Sequence, residues 1–188
     1  MIRRRCALLL AGLLAACASP TPELYTLAAL PGPVQHLAVR SVELRRVGLA
    51  GYLDRPEIVR TAADYRVQIT RNQRWGEPLG GMLDRVFTED LVERLAGTAV
   101  FAESGAISTA PDLILELDIL RFDTDASGTL VLLAQVAVRR ADARQTAHAQ
   151  TLRLTAQPAS AATRDLVAAM SAALGELADA VGGMLARN

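Results

Sequence analysis

The sequence predicts a single α/β domain, more closely an α+β sandwich in which two helices cover a mostly antiparallel or mixed sheet. Three observations carry that expectation. A chain of 188 residues holds one ordinary domain and hardly two. Alternating apolar runs separated by turn signals recur between residues 23 and 155. Two apolar stripes at spacings of three and four, one beginning at Leu79 and one ending at Leu185, read as amphipathic helices.

The N-terminus reads as an address rather than part of the fold. Arg3, Arg4 and Arg5 precede a nine-residue apolar core, Cys6 to Leu14, and small residues follow. About 20 apolar residues are needed to span a bilayer, so this core is too short for a permanent anchor and reads as a secretory signal. Leu14-Ala15-Ala16-Cys17 resembles the bacterial lipobox, in which the signal is cut just before a cysteine whose thiol accepts diacylglycerol. The resemblance implies covalent diacylglyceryl and N-acyl groups on Cys17, and no other cofactor. Residues 1–16 are then the signal peptide, 17–22 the lipidated cysteine with a short tether, and 23–188 the domain. Ala18 follows the cysteine, where an aspartate favours inner-membrane retention in enterobacterial lipoproteins. That rule sends the chain to the outer membrane, facing the periplasm. Five residues, Ala18 to Pro22, extend at most about 18 Å, so the body is held close to the membrane surface.

The elements of the body follow in order. Glu23 to Leu27 and His36 to Leu44 read as strands around the turn at Leu30-Pro31-Gly32-Pro33, with slipped alternation near Ser41 that predicts a bulge. Tyr65, Val67 and Ile69 alternate with Arg66, Gln68 and Thr70, which predicts a half-buried strand with one wet face. Glu57 to Arg60 pairs with it as a hairpin across Thr61 to Asp64. Pro78 opens a helix, where a missing N–H does little harm, and Gly97 stops it. Its stripe is Leu79, Met82, Leu83, Val86, Leu91 and Leu95. Three longer strands follow: Leu113 to Phe122, Thr129 to Arg139 and Thr146 to Thr155. Asp125 to Gly128 forms the first turn between them, and Asp142 to Gln145 lies in the second. Leu130, Leu132, Val136 and Val138 form one buried face, and Val131 and Leu133 add apolar surface to the other. The last helix, from about Ser160 to Leu185, carries Leu166, Met170, Leu174, Leu177, Val181 and Leu185, with Asp165 near its start suiting the helix dipole.

Composition excludes much chemistry. All twenty basic residues are arginine, so there is no lysine for a phosphate loop or a Schiff base. No G-x-G triplet, H-E-x-x-H spacing or G-x-S-x-G elbow occurs. Both cysteines, Cys6 and Cys17, precede the body, which therefore has no cysteine-ligated zinc site. The longest basic runs are pairs, Arg45-Arg46 and Arg139-Arg140, and no aromatic-studded basic stripe suggests nucleic acid. Glu116 and Asp118 share one face of a strand, but Arg121, Arg139 and Arg153 read as their cross-strand partners. The sequence predicts neither catalytic nor metal-ligating residues.

Two stretches suggest an interface. Tyr52, Leu53, Asp54, Arg55 and Pro56 combine an aromatic, a charge pair and a turn-forming proline ahead of Glu57-Ile58-Val59. Arg74, Trp75 and Glu77 place the only tryptophan just before the first helix. Trp, Tyr and Arg dominate interface hot spots. The alternative for the second stretch is structural: Trp75 folds over the first helical turn, and Arg74 and Glu77 pair across it.

YLDRPEIV (Tyr52–Val59) and RWGEPL (Arg74–Leu79), with a lipobox ahead and LELDILRFD (Leu115–Asp123) behind, resemble the ABC-type transport auxiliary lipoproteins, also called the PqiC or YmbA-like family. Gly76 stands where many relatives have alanine. The resemblance implies a non-catalytic, periplasm-facing lipoprotein acting in a lipid transport system between inner and outer membranes. Its implied partners are an MCE-domain periplasmic protein with its permease and ATPase, the outer membrane through the lipid anchor, and further copies in a homo-oligomer ring. Two other readings stay open: a carrier that encloses an acyl chain, and a structural lipoprotein that braces another envelope complex.

Overall fold

Nine strands and two helices account for the regular structure of residues 21–62, 65–107, 109–142 and 148–187, the part of the chain that the computed structural model describes. In chain order the strands are β1 (Glu23–Tyr25), β2 (Ser41–Leu44), β3 (Gly48–Leu49), β4 (Glu57–Thr61), β5 (Val67–Trp75), β6 (Ala99–Ala102), β7 (Leu113–Thr124), β8 (Leu130–Arg140) and β9 (His148–Ala156). Helix α1 (Leu79–Arg94) follows β5, and α2 (Thr163–Leu185) closes the chain. The expected signal segment, Cys17 and the tether as far as Pro20 lie outside the described residues. So do positions 63–64 of the first expected hairpin turn and 143–147 around the last turn.

The strands form two mixed sheets. One has the order β1-β5-β4, with β1 parallel and β4 antiparallel to β5. The other has the order β6-β2-β7-β8-β9, and β3 continues along β7 beyond β2. Strands β7, β8 and β9 form an antiparallel meander, whereas β2, β3 and β6 join by parallel pairing. The meander's first turn is the expected one: the Gly128 N–H donates to the Asp125 carbonyl at 3.0 Å, with Gly128 at φ +85°.

The strand expected over His36 to Leu44 is confined to Ser41–Leu44, and no bulge interrupts it at Ser41. Instead Ser41 is where pairing begins, because Asp112 Oδ2 accepts the Arg40 and Ser41 N–H groups at 2.8 and 3.0 Å. The slip in alternation has its counterpart further on. Val42 pairs with Leu113 but Gly48 with Asp118, so one register step is lost across the gap between β2 and β3. A Cβ at Gly48 would stand 2.5 Å from Asp118 Oδ1, so a larger residue there displaces that carboxylate. The short strands β3 and β6 carry too few alternating positions to be legible locally.

A larger correction concerns β5. The strand begins only at Val67, so Tyr65, expected to alternate with it, stands outside β5 at φ +61° and fully exposed, and Val67 and Ile69 are 46% and 45% exposed. Trp75, at the far end of the strand, enters the core. Opposite Val67 and Ile69 in β4, Thr61 donates to Asp123 and Val59 is buried, so on this face the core contact is made by β4 rather than by β5.

Both helices pack against each other, α1 also against β6 and α2 against β8 and β9. Every residue of the two expected stripes is buried, as are Leu130, Leu132, Val136 and Val138. Val131 is buried as well, so this end of β8 is covered on both faces. Helix α2 is long and apolar enough to cross a membrane by length and composition. Its stripe and flanking small residues instead fill the space over the sheet.

Candidate functional site

The two stretches singled out in the sequence meet at the base of the β4–β5 hairpin. Glu57 pairs across the strands with Arg74, and their side chains approach to 3.8 Å. The Trp75 N–H donates to the Pro56 carbonyl at 2.8 Å, and the Gly76 N–H to the Tyr25 carbonyl at 2.8 Å. The base of the hairpin is thereby tied both to the turn after Leu53 and to β1. A Cβ at Gly76 would lie 3.5 Å from the Tyr25 carbonyl oxygen, an ordinary contact, so this position accepts alanine.

The side chains separate into two groups. Leu53 and Trp75 are buried in the main core, which removes both from the outer surface of this chain. Trp75 belongs to the core rather than to the surface, and Arg74 and Glu77 do not pair with each other. Arg74 faces Glu57, while Glu77 accepts from Arg85 at 2.6 Å. Asp54 and Pro56 are exposed, and Arg55, Arg74 and Glu77 are partly so. Nε of Arg55 and of Arg74 are buried without a hydrogen-bond partner.

Tyr52 is half-buried rather than displayed. Burial, followed by the charge of Asp123 and a hydrogen bond to it, pushes the Tyr52 phenol up to about 12. Asp123 also accepts from Thr61 Oγ1 at 2.7 Å and Arg121 Nε at 2.7 Å while only 2% exposed. The end of LELDILRFD is therefore the polar hub that joins the YLDRPEIV turn and β4 to the large sheet. Sequence reading did not single out Asp123; its position at the end of a long strand was the available signal.

A second buried polar group was also missed. Asp90 and Arg94 fall on the covered face of α1, with 0% and 2% side-chain exposure. The guanidinium donates to the Leu30 carbonyl at 2.7 Å, to Asp90 Oδ1 at 3.3 Å and to Asp179 Oδ1 of α2 at 2.5 Å. Asp90 Oδ1 accepts the Leu30 N–H at 2.9 Å. Six residues earlier on the same helix, Asp84 accepts the Val47 N–H at 2.8 Å. These carboxylates satisfy loop backbone that would otherwise be buried unpaired. Their spacing of three, Asp84 and Asp90 from Phe87 and Arg94 from Leu91, was the legible sign.

Burial pushes the Asp90 carboxyl up to about 6, against the opposing Leu30 amide and Arg94 charge. The folded chain then holds this proton more tightly than the unfolded one, whose ordinary value is 3.8. Stability from this group is full below about pH 4 and is lost as pH rises through about 6. Urea midpoints measured across that interval should fall with rising pH, and Asp90→Asn should flatten the slope. An unchanged slope in the variant would assign it to other groups.

No catalytic cluster is assembled from the residues considered. His36 is exposed in the loop before β2, and His148 is exposed at the start of β9. Glu116 and Asp118 point outward; Glu116 pairs with Arg139 at 3.4 Å, whereas Arg121 turns to Asp123. Both line an open cleft of about 570 Å³ with Arg45, Arg46, Gln135 and Gln150. Among the described residues no group of three or more His, Cys, Asp or Glu could hold a metal ion.

Fold and surface thus define a mixed α+β domain whose distinctive residues brace a hairpin base instead of lining a reaction centre. A family model described as the ABC-type transport auxiliary lipoprotein component matches residues 25–182, and the chain belongs to that family. Among solved structures it is similar to protein XCC0632 from Xanthomonas campestris, of the DUF330 family model. The identity is 20% and the TM-score 0.70, over 87% of this chain and 95% of that one. An uncharacterised protein of known structure aligns with a TM-score of 0.73 at 16% identity, over 88% of this chain and 99% of the other. At such identities these likenesses show the fold. No curated protein matches the sequence significantly.

Proposed function

We propose that this lipoprotein is a non-catalytic component of an MCE/ABC-type lipid transport system, held by acyl groups on Cys17 to the outer membrane and facing the periplasm. The observation that carries the reading is the family match across residues 25–182, in a chain that begins with a lipobox-like segment. In this role the exposed base of the hairpin, Asp54, Arg55, Pro56, Arg74 and Glu77, meets the periplasmic MCE protein or a neighbouring copy in a ring. Leu53 and Trp75 stiffen that surface from within, and Tyr52 locks it to Asp123. The permease and ATPase supply the energy, since the chain lacks a phosphate loop.

Photo-crosslinkers placed at positions 54, 56 and 77 in intact cells test this directly. Capture of an MCE-domain protein is expected, together with a ladder of self-crosslinked species if copies form a ring. Recovery of envelope proteins belonging to no transport system would defeat the reading in favour of a bracing lipoprotein. An enclosed acyl chain receives no support from the clefts, which are open to solvent rather than enclosed.

A further inference from the structure

The large sheet ends on β9, which pairs with β8 along one side and, among the described residues, with no strand along the other. An open edge is a row of unsatisfied N–H and C=O groups. Folded chains blunt it with short strands, bulges, proline, lysine or an inward charge, or by covering it. The other outer strands follow that rule. β1 has three residues and β6 four, and β4 is covered, with Ile58 and Val59 buried and Thr61 tied to Asp123. β9 has none of these devices. Its nine residues, HAQTLRLTA, pair with β8 in one unbroken register, and none of them is buried. About four residues of such a strand present both N–H and C=O outward.

The side chains along this edge indicate what it accepts. Leu152, Leu154 and Ala156 lie partly buried against the core, on the face that α2 covers. The opposite face carries Ala149, Thr151, Arg153 and Thr155 by the two-residue period of a strand. Arg153, expected beside Glu116 and Asp118, pairs with neither: it stands opposite Leu133, and Glu116 is held by Arg139. Among the described residues its guanidinium has no ion pair. A groove of about 350 Å³ runs beside the start of the strand, lined by His148, Ala149 and Gln150 and, from the end of the chain, Met184 and Arg187. Arg187 also has no ion pair among the described residues, and no carboxylate lines the groove. The ionised groups along the edge are therefore arginines alone.

We propose that β9 takes up an extended, acidic segment of a partner polypeptide as an added strand. Backbone hydrogen bonds to the open edge supply the attachment, and alternate side chains of the incoming segment supply the selectivity. One set of side chains lies beside Leu152 and Leu154 and continues the apolar layer. A carboxylate in the other set meets Arg153, and one near the start of β9 meets Arg187. A second copy of β9 fits worse, since the strand carries no carboxylate and two copies would bring their arginines to one seam. This edge belongs to the large sheet, whereas the hairpin base with Asp54, Pro56 and Glu77 belongs to the small one. The inference stands independently of the acyl anchor and of the transport reading.

The test titrates the full mature protein, in detergent micelles, into a fluorescein-labelled synthetic peptide of alternating valine and glutamate, nine residues long to match β9. A saturable rise in anisotropy is expected. Hydrogen exchange in the complex should slow at the amides of His148–Ala156 and stay unchanged in β4. Lysine in place of the peptide's glutamates should weaken binding about tenfold or more, because the charge-assisted contacts are lost. N-methylation of the peptide's central amides should do the same, because the strand can no longer pair. Arg153→Glu combined with Arg187→Glu should invert the preference, so that the lysine peptide binds more tightly than the glutamate peptide. Both positions are exposed, and matched thermal unfolding of variant and parent shows that the fold is retained. Absence of saturable binding, binding that survives N-methylation, or protection confined to segments other than β9 would each overturn the inference. Protection of β9 in the free protein that grows with protein concentration would assign the edge to a second copy, which also overturns it.

Discussion

Arg94→Ala is expected to lower the unfolding free energy by about 3–5 kcal/mol, the range for removing one partner of a buried ion pair. The guanidinium bridges three segments: the Leu30 carbonyl before the first turn, Asp90 on α1 and Asp179 on α2. Truncation leaves the Asp90 carboxylate buried opposite a cavity, and it also frees α2 from the loop that Arg94 ties down. The surroundings are shaped to this side chain: a Cβ at Gly32 would collide with the guanidinium, and one at Gly175 would lie 3.2 Å from it. Lysine should recover only part of the loss, because one ammonium cannot face three acceptors in the planar fork that arginine offers. The deficit should shrink below about pH 6, where the Asp90 carboxyl takes up a proton and no longer needs a cation. Urea unfolding of wild type, Arg94→Ala and Arg94→Lys at pH 5 and pH 7.5 measures both effects. A loss below about 1 kcal/mol at the higher pH would mean that the cluster contributes no more than a surface pair.

Cys17→Ala should abolish maturation completely. The thiol is the acceptor for diacylglycerol, and in the lipobox pattern cleavage follows that modification. Alanine offers no nucleophile, so the chain should accumulate as precursor held by its uncleaved signal. Each buried methylene contributes about 0.8 kcal/mol to membrane attachment, so several acyl chains amount to an anchor that surface charge cannot replace. Intact-mass measurement and membrane fractionation of the variant give the outcome. A variant that matured normally and kept an outer-membrane position would refute the anchor.

Local periodicity located the helices because their cover is continuous. Leu79, Met82, Leu83, Val86 and Leu91 face one core along the whole of α1, and Leu166 to Leu185 do the same on α2. The meander was legible for a similar reason, its strands being long and joined by a turn in which Asp125 and Gly128 declare themselves. The same rule failed at Tyr65, Val67 and Ile69, since alternation records a strand and not what lies over it. It failed again at Asp90 and Arg94, where polar residues occupy an apolar stripe because a distant loop needs its backbone satisfied. Of the residues proposed for the interface, Leu53 and Trp75 are buried in the core, which residue type alone does not reveal.

By itself the sequence determined the element types that follow from near-neighbour order: two amphipathic helices, a three-stranded meander, a hairpin ahead of α1 and an arginine-only surface without phosphate-loop chemistry. The proposed acyl site at Cys17 also rests on sequence, being a matter of covalent order. Tertiary structure decided the parallel joining of β1, β2, β3 and β6 and the burial of an ion pair between α1 and α2. It also decided the meeting of Tyr52, Thr61 and Arg121 on Asp123 and the exposure of Val67 and Ile69. Each of these depends on which remote segment covers which, and that is settled only when the chain closes on itself and each polar group must find a partner or water.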